Sequence, residues 1–238
     1  MEQSKTIINE SKTLKKMKTN ATAINMAKIN QGILGGFLGR VGNVVGSAWK
    51  GKAIIRSRAL HIHDPKTPKQ LLARQRFAML QNLAALVGTA NIRAGFKSRA
   101  RHMTEVNYFV KKNYDAITGS ELDNLAVSYA DVLMAEGSLP GLVLRGPVTS
   151  DDPGSAHIAW VNNAGQAEAS DADVVRILAV DPEQELTAVF SANRSVGSVD
   201  LDLPSFMTGH AVHFYLYCIG VDGFKISDSV YAGKVTIS

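Results

Sequence analysis

A single cysteine, Cys218, in 238 residues excludes an intrachain disulfide framework and any multi-thiolate zinc cluster, since both need several sulfurs in register. No apolar run approaches the roughly 18 residues that span a bilayer. The N-terminus lacks the continuous apolar stretch and small-residue cleavage site of a secretory signal. The expected location is therefore the cytoplasm or an assembled particle, with no membrane partner. Neither G-x-S-x-G nor H-E-x-x-H occurs, which removes two readable hydrolase signatures. Carboxylates are scarce in one half of the chain: residues 1–112 hold 4 Asp or Glu against 21 Lys or Arg. The remainder holds 17 acidic residues against 5 basic ones (Arg145, Arg176, Arg194, Lys225, Lys234). The net charge of +5 hides this split. Either the basic half meets a polyanion, or the two halves attract each other, within one molecule or between copies.

What is present is core-forming material, with 45% hydrophobic residues. Residues 1–25, rich in Lys, Asn, Thr, Ser and Ile without apolar periodicity, read as disordered or as an extension ahead of a start at Met26. From Gln31 to Gly51 seven glycines punctuate short apolar pieces, and Ile54-Ile55 follows, the pattern of a tightly turned β-hairpin. Thr67-Pro68-Lys69-Gln70 is a helix start, with Thr67 as N-cap, Pro68 at the first helical position and Gln70 closing a capping box. Ala73, Phe77, Leu80, Ala84 and Val87 then share a helical face, and Gly88 is the stop. A second helix is expected over Thr104 to Asp115.

After residue 120 the texture changes to short alternating runs: Ser155–Val161, Asp173–Val180, the segment of Val199, Leu201 and Leu203, and a long run from Val212 to Cys218. In that run Val212, Phe214, Leu216 and Cys218 face one way, and His213, Tyr215 and Tyr217 the other. Asp222-Gly223 is a turn signal before a last strand at Val230–Ile237. Six or seven such strands, with an early Trp and a late aromatic strand, indicate an antiparallel β-sandwich of immunoglobulin or fibronectin III kind. The expected fold is α+β, with a basic hairpin-plus-helix region over 26–120 and an acidic sandwich over 121–238.

Candidate chemistry is sparse. Gly46-Ser47-Ala48-Trp49-Lys50-Gly51-Lys52-Ala53 comes one residue short of a phosphate-binding loop. Ala53 has no hydroxyl for magnesium, and Ile54-Ile55 favours a strand where a helix N-terminus is required. His61-Ile62-His63-Asp64 lacks a distant fourth metal ligand. Asp151-Asp152 and Asp171-Ala172-Asp173 do not match a calcium loop and read as solvated, and Cys218 reads as a small core residue. No catalytic residue, metal or cofactor is expected. The remaining signal is basic: Arg56, Arg58, Lys66, Lys69, Arg74, Arg76, Arg93, Lys97, Arg99 and Arg101, with Lys111 and Lys112, are candidate contacts to a polyanion or a protein interface. Trp49 and Phe96 are available to stack on bases.

The run GGFLGRVGNVVGSAWKG (Gly35 to Gly51), with Arg56-Ser57-Arg58 and Pro65-Lys66-Thr67-Pro68-Lys69-Gln70 behind it, resembles an uncharacterised family of proteins common in Bacteroidota. The resemblance implies an N-terminal signature of this form, a C-terminal Ig-like region and a start near Met26. It implies no activity. The expected role is that of a non-enzymatic structural or interaction protein, self-assembling through its basic and acidic halves. The rival is a sequence-independent nucleic-acid-binding module that holds a protein partner on its sandwich.

Overall fold

The computed structural model describes residues 27–29, 35–58 and 64–238. The expectations for residues 1–25, Met26, His61 and His63 lie outside the described residues. Two compact units divide at the Pro65/Lys66 junction.

The first unit is an antiparallel sheet of four strands in the order β1 (Ala27–Ile29), β2 (Phe37–Val41), β3 (Val44–Trp49), β4 (Lys52–Ser57). Its turns explain the glycines. Lys50 and Gly51 both have positive φ (45° and 79°), as a two-residue hairpin turn matched to the strand twist requires. Gly46 lies opposite Gly39, and a Cβ placed on it would fall 2.6 Å from the Phe37 ring. The expected hairpin is thus part of a meander. The phosphate-loop look-alike occupies β3, a turn and β4, so Lys52 opens a strand.

The second unit begins with three helices. α1 (Pro68–Val87) starts at the Thr67 capping box and ends at Gly88, whose N–H donates to Ala84 O. α2 (Thr89–Phe96) follows directly, and α3 (Glu105–Lys112) is capped by Thr104. A short ribbon of β5 (Ile117–Thr118) and β6 (Ala126–Val127) leads to seven strands: β7 (Val143–Leu144), β8 (Ser155–Val161), β9 (Val174–Asp181), β10 (Leu186–Asn193), β11 (Ser198–Asp202), β12 (Ala211–Ile219) and β13 (Val230–Thr236). These form one sheet in the order β10-β9-β12-β13 and another in the order β11-β8-β7, all antiparallel.

Strand alternation builds two cores. Val175, Ile177, Phe214, Leu216 and Cys218 from the four-stranded sheet meet Ala156, Ile158, Trp160 and Leu201 from the three-stranded one. On the opposite face Leu178, Val180, Tyr215 and Tyr217 meet Leu80, Leu83, Ile92, Phe96 and Phe109 of the helices. The four-stranded sheet is therefore the middle of three layers. Each fully buried Leu, Ile or Phe in the helical contact is worth about 1.5–3 kcal/mol, which explains why the helices belong to the strand body. The units part at residue 65, where the expected boundary was near 120.

Some local expectations change. Phe77 is 52% exposed, and the buried face of α1 begins at Leu80. α3 stops at Lys112 because Asn113 turns inward, its amide donating to Phe109 O and Leu133 O (both 3.0 Å) while its Oδ1 accepts from Leu133 N (2.7 Å). α2 and β10 were not foreseen.

Candidate functional site

The basic side chains of the helical layer are partly consumed by the body itself. Arg76 donates to Gly119 O and sits 5.8 Å over the Tyr114 ring. Arg99 donates to Gly137 O (3.0 Å) and reaches to 4.0 Å from Glu136. Lys112 Nζ lies 2.9 Å from Glu136 Oε2, a hydrogen bond that raises its pKa. Lys97 Nζ stands 4.4 Å over the Phe224 ring. Lys66, Lys69, Arg74, Arg93, Arg101 and Lys111 are exposed along the helices and their approaches. Phe96 is fully buried and cannot stack on a base, which removes it from the expected contacts. By unit, residues 66–238 hold 15 basic residues against 18 acidic ones, so the apparent halves nearly balance within one body.

The described strands of the first unit differ in composition. Residues 27–58 carry Lys28, Arg40, Lys50, Lys52, Arg56 and Arg58 and not one carboxylate. Register then sorts the strand side chains, because cross-strand partners share a face and neighbours alternate. Lys28 pairs with Leu38, Arg40 with Val45, Val45 with Arg56, Ser47 with Ile54, and Trp49 with Lys52. All four strand cations, Lys28, Arg40, Lys52 and Arg56, therefore stand on one face with Leu38, Trp49 and Ile54. Phe37, Val41, Val44 and Ile55 occupy the other face. Trp49 is 48% exposed, and among residues 35–58 Gly46 alone is buried. Arg58 sits one residue past β4, its backbone N–H donating to Asn43 O. Of the expected contacts, Arg56 and Arg58 fall here. Lys28, Arg40 and Lys52 were missed, although the even spacing of Lys52 and Arg56 in a strand signalled a shared face.

Other reactive groups are engaged in structure. The Cys218 thiol is fully buried, and burial pushes its pKa up to about 11. His213 stacks on Tyr129 at 4.2 Å and places Nδ1 2.8 Å from the Tyr231 hydroxyl. Burial, with Lys234 nearby, lowers its pKa to about 4. His210 Nδ1 contacts Asp181 at 2.8 Å. Asp173, expected to be solvated, is 1% exposed: Arg194, itself 0% exposed, places Nε 3.2 Å from its carboxylate. Asp151, Asp152 and Asp171 are exposed as expected. A groove of about 420 Å³ between α1 and the β9–β10 turn is lined by Met79, Leu83, Leu86, Val127, Tyr129 and Pro182, with Asn82 and Glu185 as its polar groups. Among the described residues no group of His, Cys, Asp and Glu is placed to hold a metal, and no helix is long and apolar enough to cross a membrane.

The geometry defines an α+β protein of helices and antiparallel sheets preceded by a small basic sheet. The chain belongs to the family of unknown function DUF6266, which matches residues 36–233. No curated protein matches it. Among solved structures, the fn3 domain of human collagen alpha-1(XX) chain is similar over 44% of this chain and 89% of its own, at 17% identity and a TM-score of 0.31.

Proposed function

We propose that this protein is a non-enzymatic, self-assembling structural subunit whose N-terminal sheet docks on another copy. One observation carries the reading: the β1–β4 sheet buries only Gly46 among residues 35–58, holds cations without a carboxylate, and exposes Val41, Ile55 and Trp49. A sheet of this size cannot build a core alone and gains stability from a partner surface. The partner of matching chemistry is acidic, and the strand body supplies it: no Lys or Arg occurs between Arg145 and Arg176 or between Arg194 and Lys225. The strand body is read as an Ig or fibronectin III-like sandwich. The division into β7-β8-β11 and β10-β9-β12-β13, with Trp160 buried on the second strand, supports that assignment. Such a subunit acts in the cytoplasm or in an assembled particle, and a basic-to-acidic contact between copies is heterologous, so it closes into rings or runs on as filaments.

A second reading has its own observation. Trp49 lies half exposed beside Lys52 on the cationic face, an arrangement suited to a base stacked above a phosphate backbone. Light scattering on the full chain, purified free of nucleic acid and measured over a range of concentrations, separates the two. A mass that rises with concentration supports the subunit, and a monomer at every concentration refutes it.

A further inference from the structure

We propose that the cationic face of the β1–β4 sheet docks on the outer face of β8 and β11 in a neighbouring copy, an inference that rests on the self-assembly reading. Both surfaces follow from strand register. On the sheet, Arg40 and Arg56 lie in one cross-strand row with Val45 between them, and Lys52 lies further along β4 beside Trp49. Two strand spacings separate Arg40 from Arg56 by about 10 Å, and four residues separate Lys52 from Arg56 by about 13 Å.

On the body, Leu201 points into the core, so Asp200 and Asp202 on either side of it point outward. Asp202 pairs with Ser155, and Ser155 N–H donates to Asp152 O, which brings exposed Asp151 and Asp152 to the same end of the sheet. Asp200 is 80% exposed at its side chain and touches His157 Nδ1 at 2.5 Å. Asp200 and Asp202 are about 7 Å apart on one face, with exposed Asp151 and Asp152 at the Asp202 end.

A second copy is the occupant because the end of this face that carries Asp151, Asp152, Asp200 and Asp202 is opposite in sign to the cationic sheet face, and each copy carries one of each. The sheet face, four strands wide and about six residues long, has a footprint of order 400 Å². That is small for a stable pair, so each contact is weak, and closure into a ring, which makes the last contact intramolecular, strengthens the assembly.

The test is a charge exchange on the full chain. Arg40→Glu with Arg56→Glu is expected to weaken association at least tenfold, and Asp200→Lys with Asp202→Lys to do the same. The chain carrying all four substitutions is expected to regain most of the association, which an unfolded variant cannot do. If the wild type assembles and neither pair of substitutions changes its mass, these faces are wrong while the subunit reading stands. If the wild type is monomeric, the subunit reading itself falls. Binding of a 30-nucleotide oligothymidylate that is abolished by Arg40→Glu with Arg56→Glu and indifferent to Asp200→Lys with Asp202→Lys would assign the cationic face to nucleic acid and overturn the proposal.

Discussion

Replacing Arg194 with Met tests the reading of the strand body at its most demanding point. The guanidinium is completely buried with Nε 3.2 Å from the Asp173 carboxylate, Nη2 donating to Pro140 O (2.9 Å) and Nη1 donating to Asn163 Oδ1. Its own backbone oxygen accepts from Trp160 Nε1 at 2.9 Å, so the network ties the connector after β10 to the core tryptophan. Methionine fills the volume and removes every donor. Asp173 would keep the Ser170 N–H at 2.9 Å, and its buried charge would lose the countercharge. Breaking a buried pair from one side costs about 3–5 kcal/mol. For a body of this size that is a fall in Tm of roughly 6–20 °C. Asp173→Asn in the Arg194→Met background should recover about 1 kcal/mol or more, because the orphaned charge goes with it. Urea and thermal denaturation followed by circular dichroism measure both. A loss under about 1 kcal/mol for Arg194→Met, or no recovery in the double variant, would refute the argument that a charged pair is held dry there.

Gly95→Ala should destabilise, because a Cβ at that position lies 2.2 Å from the Met134 carbonyl oxygen. The overpacking cost of about 1–3 kcal/mol exceeds the gain in helix propensity, and Gly146→Ala, with open space at its Cβ, is the control in thermal melts. His213 is held neutral, its pKa lowered from 6.5 to about 4, so the unfolded chain binds the extra proton between those values. Its contribution is complete above about pH 6.5 and is lost as pH falls toward 4. After allowance for partial solvent access it amounts to about 1–2 kcal/mol, and Tm measured across that window should fall less steeply in His213→Gln than in the wild type.

Local chemistry was legible wherever one or two residues decide the outcome. Thr67, Pro68, Gln70 and Gly88 fix both ends of α1 through hydrogen bonds within four residues of each other. The two faces of β12 could be read because alternation demands two buried surfaces, and two cores receive them. Tertiary partners were not legible. Phe77 has the spacing of a buried residue, yet the layer beneath α1 begins at Leu80. Asp173 looked solvated because its countercharge, Arg194, is 21 residues away and meets it only after β9 and β10 have folded back. For the candidate site, composition pointed to the basic half. It could not sort out which of those cations the body engages, because Glu136, Gly119 and Phe224 approach them only in the fold.

That sorting changes what the charge split means. Read along the chain, the reversal of sign near residue 112 looks like two domains of opposite charge facing each other. In the fold, the basic helices and the acidic strands are one body, and the carboxylate of Glu136 draws in both Lys112 and Arg99. Part of the opposite charge of residues 66–238 is therefore paired within the body, while Asp151, Asp152, Asp200 and Asp202 stay exposed on it. The cations of residues 27–58 belong to a sheet in which Gly46 alone is buried among residues 35–58, and its strand cations share one face. Self-repulsion among those cations opposes the sheet when it stands alone and is relieved when carboxylates cover it. On the self-assembly proposal, association and ordering of the sheet draw on the same contact.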